Sequence, residues 1–220
     1  MRIATFRQVF YLVITMNKQK TPVPRGRRRE FDRSVALEKA LVLFWRFGYE
    51  GVSIADLTRA MGIAPPSLYA AFGDKAALYS EVLTLYSSWA DESIKELQRQ
   101  GPIRDLIEEL LRKTADAATD PKFPPGCLVT TGLLHTAPEH RPLAKKVADM
   151  RIVRARAIAD RLQKAIDAGD LPKSVNARSM ADFVSAISQG IMLQARDGAS
   201  RSQLHAIVDT AMKALPSALK

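Results

Sequence analysis

Eight basic side chains and no acidic one lie in the first 29 positions: Arg2, Arg7, Lys18, Lys20, Arg25, Arg27, Arg28 and Arg29. Guanidinium and ammonium groups at that density neutralise phosphates, and such arms commonly serve nucleic acid. A solvated tail that aids solubility is the other reading. The excess is local, because the net charge of +10 falls to +2 over the rest of the chain. The second chemically marked residue is Cys127, the single cysteine. It follows Phe123-Pro124-Pro125-Gly126, where a helix is expected to begin, and a helix N-terminus lowers a thiol's pKa. A sensor of electrophiles or oxidants is one reading; a small thiol that simply packs is the other.

Other reactive types do not assemble. His135 and His140 are five apart with Pro138 between them, and His205 falls in the last helix, so neither metal nor cofactor is expected. Gly73-Asp74-Lys75 lacks the upstream glycine of a phosphate-binding loop. Glu108 and Glu109 are adjacent and point along different helix faces. No nucleophile and base come together by spacing, so catalysis is not expected.

The elements that position these residues are helical. With 220 residues, 47% hydrophobic and 25% charged, the chain has the material for a packed core. No apolar run reaches the ~18 residues of a membrane span. One cysteine excludes an intrachain disulfide and fits a reducing, cytoplasmic setting. Val9 to Ile14 is apolar but runs into Met16-Asn17-Lys18-Gln19-Lys20 rather than a small-residue cleavage site, so Met16 is expected as the translation start, with residues 1–15 an upstream extension. Residues 1–29 are expected as a flexible basic arm, 30–80 as one domain and 81–220 as another.

From Asp32 the pattern predicts an all-α protein of nine helices. Leu37, Ala40, Leu41 and Phe44 form an amphipathic stripe, and Gly48 and Gly51 bracket that helix's end. Ser53 begins the second helix, with Asp56 three residues on completing a capping box. Gly62 ends it. Pro65 and Pro66 open a short third helix, where proline costs no amide partner. Six more helices are expected at about 75–99, 103–118, 127–136, 139–168, 175–196 and 201–214, with boundary errors of ~2–4 residues. Two short helices joined by a glycine turn, behind a supporting helix and a basic arm, make a helix-turn-helix pattern.

Phe44-x-x-x-Gly48-Tyr49-x-Gly51-x-Ser53-Ile54-x-x-Leu57, then Met61-Gly62-Ile63-Ala64-Pro65-Pro66-Ser67-Leu68-Tyr69-x-x-Phe72-Gly73-Asp74-Lys75-x-x-Leu78, resembles the DNA-binding domain of TetR/AcrR-type transcriptional regulators. The resemblance covers about residues 32–80; the rest is similar only in helix count, length and order. It implies a homodimeric repressor on a palindromic operator, released by a small molecule. It implies that the third helix reads DNA, with Pro65, Pro66, Ser67 and Ala70 toward the groove and Tyr69 against a base or the backbone. Ser53 and Lys75 would hold phosphates, and Arg25 with Arg27, Arg28 and Arg29 would reach the minor groove. The family often has a polar residue at the place of Pro65, glycine at Pro66, and histidine or tyrosine at Ala70. Here Ser67 and Tyr69 are the hydrogen-bonding side chains on offer, so more weight is expected on thymine methyl contacts, phosphate clamping and DNA shape.

The resemblance also implies an effector cavity among helices four to seven. Tyr86, Trp89, Phe123, Cys127, His135, Met150 and Phe183 are the candidates, each also readable as ordinary core. For dimerisation the last two helices offer Met180, Val184, Ile187 and Ile191 as one stripe, Ala186 and Gly190 as a small-residue strip, and Leu204, Ile207, Val208 and Ala211 as another stripe. Closure of the monomer core is the competing reading. The expected mechanism is a population shift that moves two reading helices from a spacing of roughly 34–36 Å. Rival functions are sensing through Cys127, or an enzyme or small-molecule carrier with a vestigial helix-turn-helix.

Overall fold

The computed structural model describes residues 31–216, and for residues 89–94 the backbone alone. The basic arm, the question of Met1 or Met16, and the Trp89 side chain lie outside the described residues. Nine α-helices and one 3-10 turn run through them, with no strand among the described residues. They are α1 (Arg33–Phe47), α2 (Ile54–Met61), α3 (Pro65–Phe72), α4 (Lys75–Leu97), α5 (Ile103–Ala118), α6 (Leu128–Thr131), the 3-10 turn Pro138–His140, α7 (Arg141–Asp167), α8 (Ala177–Arg196) and α9 (Arg201–Ala214).

Local chemistry sets most of these boundaries. Asp32 caps α1 by accepting from the amides of Ser34 and Val35 at 3.0 and 3.2 Å. Ser53 and Asp56 exchange side-chain and backbone hydrogen bonds at 3.1 Å each, the expected capping box. Gly62 stops α2 at φ 74°, ψ 34°, a left-handed conformation open to glycine at little cost, and its amide donates to the Thr58 carbonyl. Two expected boundaries move. The helix expected over 127–136 is a single turn. Val129, Thr130 and Thr131 are β-branched, Gly132 is a poor helix former, and Leu133 adopts φ 53° to bury its side chain. The helix expected over 139–168 begins at Arg141, behind a 3-10 turn that Pro138 opens.

Two apolar cores result. One joins α1–α4 around Leu41, Phe44, Leu57, Leu68 and Tyr79, and it continues past residue 80 to Leu128, Leu143 and Val147. The other is built by α5, α7, α8 and α9 around Leu111, Leu162, Val184, Ile191 and Val208. The long α4 takes part in the first along Leu78, Tyr79, Val82 and Leu83 and reaches the second at Leu97. Between the halves, Trp45 of α1 meets Tyr86 edge-on at 5.1 Å and stacks on Phe123 at 6.1 Å. Arg196 of α8 donates to the Trp45 and Arg46 carbonyls at 3.2 and 2.9 Å, satisfying the C-terminal end of α1.

Candidate nucleic-acid interface and ligand cavity

The sequence of α3 divides by face. Leu68 and Phe72, four apart, are buried and fix the helix on its core. Pro65, Pro66, Ser67, Tyr69 and Ala70 all face solvent. Tyr69 is 50% exposed, unusual for so large an apolar ring with nothing covering it. The structure therefore brings together the five residues expected toward a groove.

Neighbouring groups hold α3 in place. Arg33 donates to the Ala71 carbonyl at 3.1 Å and to both carboxylate oxygens of Glu81 at 2.7 Å, while its guanidinium lies 4.5 Å from the Phe72 ring centroid. Exposed ion pairs add little stability alone; this one ties α1, the end of α3 and α4 together. Sequence reasoning missed it because the pair is 48 residues apart.

The two residues expected to hold phosphates are both occupied in the described chain. The Ser53 hydroxyl donates to Asp56 at 2.5 Å and accepts from its amide, so it serves the cap. The Lys75 ammonium sits 4.3 Å from the centre of the Tyr49 ring. Burial pushes its pKa down, and the Glu50 carboxylate opposes that. A cation resting on an aromatic face is held in place rather than spread through solvent. The arm residues Arg25, Arg27, Arg28 and Arg29 lie outside the described residues.

A second feature is a cavity of about 460 Å³ among α4, α7, α8 and the segment that begins with Cys127. Of the candidates, Tyr86, Cys127 and Met150 line it. The Tyr86 hydroxyl donates to the Cys127 Sγ at 3.1 Å. Burial, then the neighbouring Cys127, push the Tyr86 phenol well above its ordinary range, and the positive charge of Arg154 works against them. Cys127 is buried, and the helix it opens is one turn long, too short to sum many peptide dipoles on the thiol. Phe123 belongs to the stack on Trp45, and His135 and Phe183 are exposed elsewhere. Those three expectations are corrected by placement: none of them borders the cavity.

The lining that sequence reasoning missed comes mainly from two helices. From α7 come Arg151, Arg154 and Ile158; from α8 come Ser185, Ser188, Gln189 and Met192. The α8 set falls at i, i+3, i+4 and i+7, three polar residues and Met192 on one face. What marks it is that Ser188 is buried despite its hydroxyl, which the folded chain shows and the sequence does not.

The dimerisation stripes also divide. Val184, Ile191, Leu204, Val208 and Ala211 point into the chain's own second core, and Met180, Ile187 and Ile207 pack against it half-buried. Those positions close the monomer, the competing reading. A different line of α8 stays open: Phe183 at 36% exposure, exposed Ala186, and Leu193 at 48%, with Gly190 half-buried between them.

Gly126 lies where the cavity segment crosses α8. Its φ is +80°, and a Cβ there would come 2.8 Å from the Met192 carbonyl oxygen and 3.2 Å from the Arg196 Cβ. Gly126→Ala is expected to lose about 2–3 kcal/mol through the left-handed backbone and that contact. The denaturant midpoint at unchanged slope measures it; a loss under about 0.5 kcal/mol would show that the segment can lift off α8 freely.

The sequence model for "Bacterial regulatory proteins, tetR family" matches residues 36–82, and that for "Tetracyclin repressor-like, C-terminal domain" matches residues 98–214. The chain is 30% identical to the HTH-type transcriptional repressor ComR of Escherichia coli (strain K12), covering 89% of this chain and 94% of that protein. It is 33% identical to the HTH-type transcriptional repressor BdcR of the same organism, covering 93% and 99%. Among solved structures, a cysteine mutant of the TetR family transcriptional regulator CifR, complexed with 26 bp double-strand operator DNA, is 38% identical. It superposes with a TM-score of 0.82 over 86% of this chain and 100% of that one.

Proposed function

Because the chain belongs to the TetR family of bacterial regulatory proteins, we propose that it is a homodimeric repressor whose two α3 helices read an operator and whose cavity takes a small-molecule inducer. One observation carries the reading: α3 is anchored by Leu68 and Phe72 and presents Ser67, Tyr69 and Ala70 uncovered. A helix of that width fits the major groove, and its N-terminal residues reach base edges.

The open line Phe183, Ala186, Gly190 and Leu193 on α8 supports the pairing of two copies. A Cβ at Gly190 would meet nothing within 4 Å, so the space above it is open to a partner helix. Two-fold pairing matches a palindromic site. The inducer acts by preferring a spacing of the reading helices that DNA does not accept. Tyr86 is placed to pass that preference on, since its ring lies against Trp45 of α1 and its hydroxyl against Cys127 in the cavity. The protein binds rather than turns over substrate, and it works in the cytoplasm where its operator is.

The test is binding to the DNA upstream of its own coding sequence across a salt series, with the mass of the free protein measured alongside. The expected result is a dimer with specific binding. Its log K should fall with log salt at a slope of about −5 to −9, the value for six to ten phosphate contacts. A monomer at working concentration, or equal affinity for unrelated duplexes, overturns the reading. Turnover without specific DNA binding would favour an enzyme.

A further inference from the structure

Four cations and one carboxylate border the cavity, all of them on α7. Lys145 is taken by Asp149 at 2.7 Å, and Arg151 donates to the Val129 carbonyl at 2.6 Å. Lys146 stands in solvent at the rim. Arg154 differs from all three. It is half-buried, its charge acts on the Tyr86 phenol, and no hydrogen bond or ion pair engages it among the described residues. A guanidinium without a fixed partner beside an apolar wall is a ready fork for an anion that enters the cavity.

Across the cavity, α8 brings the polar side chains Ser185, Ser188 and Gln189. Ser188 is 8% exposed, and the Ser185 Oγ is sealed from solvent with no partner. Neither hydroxyl has a described hydrogen bond, although buried hydroxyls in native proteins nearly always do. What would engage the Arg154 guanidinium and the Ser188 hydroxyl together is a group that accepts hydrogen bonds and carries negative charge. A carboxylate does so, and its two oxygens match the guanidinium fork. The rest of the wall is apolar, with Met150, Ile158 and Met192. Asp149 does not oppose an anion, because it is exposed and already neutralised by Lys145.

We infer that the inducer of this regulator is a small monocarboxylate with an apolar body, its head held by Arg154 and Ser188 and its body lying against Met150, Ile158 and Met192. The inference rests on the proposed repressor function for the consequence of binding, but not for the binding itself. A cavity of about 460 Å³ is within the usual range for compact organic ligands.

Calorimetric titration of the full-length protein with matched probes tests it. Octanoate and 4-phenylbutyrate are compared with octanamide and 4-phenylbutanamide, which keep the body and remove the charge. Each carboxylate is expected to bind about tenfold or more tightly than its amide, the worth of a charge-assisted pair. Arg154→Gln should bring the carboxylates down to the amide level and leave the amides where they were. Ser188→Ala should shift the carboxylates in the same direction by less. Arg154→Lys, which keeps the charge but loses the fork, should retain part of the preference. An unchanged denaturant midpoint in the ligand-free variants confirms that they fold.

Equal binding of acid and amide, equal loss of both in Arg154→Gln, or no carboxylate binding at all overturns the inference. The two readings fail separately. Specific operator binding without a carboxylate preference removes the inducer class alone. A carboxylate preference without operator binding removes the repressor function alone.

Discussion

Phe44→Ala is expected to cost about 3–5 kcal/mol of stability, enough to consume a large part of what a chain of this size holds in reserve. The ring is fully buried. It meets Tyr79 of α4 edge-on at 4.9 Å and stacks on Tyr49 at 6.1 Å, and Tyr49 in turn meets Tyr79 at 5.1 Å. Three rings thus join α1, the turn before α2, and α4, and removal of Phe44 strips each of the other two of one packed ring face or edge. The missing volume cannot close easily, because the neighbouring Leu41 and Leu83 are themselves fully buried. Denaturant unfolding measures the loss. Phe44→Leu, which refills much of the space, should recover more than half of it. The loss should appear first as failure to bind operator, since the same cluster supports α2 and α3. A change below about 1 kcal/mol would show that the reading domain does not depend on this junction.

How far the sequence announced this arrangement depends on the range of each interaction. The Ser53–Asp56 cap, the Gly62 stop and the Pro65-Pro66 start are settled within three or four residues, so the reading motif could be placed before any coordinates. The α3 division was equally open to inspection, because Leu68 and Phe72 are spaced for one face. Arg33 with Glu81, and Arg196 with the end of α1, connect positions 48 and about 150 apart, and no periodicity reveals such partners.

The α8 helix shows a different limit. It carries apolar residues on two faces, Val184 and Ile191 on one and Phe183, Gly190 and Leu193 on the other. Periodic apolarity says that a face is covered but not by what. The first face took the monomer core, because α5 and α9 bring Leu111 and Val208 to the same core. The cavity was hidden for a related reason. The search for aromatic and sulfur side chains found Tyr86, Cys127 and Met150, but Arg154 and the Ser185–Ser188 pair looked like ordinary polar positions of solvated helices. Only burial distinguishes them, and burial belongs to the assembled fold.

The chain carrying Ser67→Ala and Tyr69→Phe together is expected to keep its fold and its charge while losing part of its choice of DNA. Both side chains face solvent, so stability should move by no more than about 0.5 kcal/mol. Neither carries charge, so the salt slope and the affinity for unrelated duplexes should hold, because phosphate neutralisation sets both. What goes is two hydroxyls on the helix that faces the groove. A contact to a base edge contributes about 1–3 kcal/mol of discrimination, so the ratio of operator to unrelated DNA should drop by about tenfold or more for each hydroxyl that reads a base. The rest of the exposed face, Pro65, Pro66 and Ala70, can touch thymine methyls but cannot hydrogen-bond through its side chains. Retention of full discrimination would move specificity away from these two groups. The operator would then be read by the fit of that apolar face to methyl groups and by how readily the duplex bends to meet it. The measurement that separates these outcomes is competition binding against operators altered one base pair at a time. Hydroxyl readout loses its effect at one or two positions, whereas shape readout spreads the change over steps that no side chain touches.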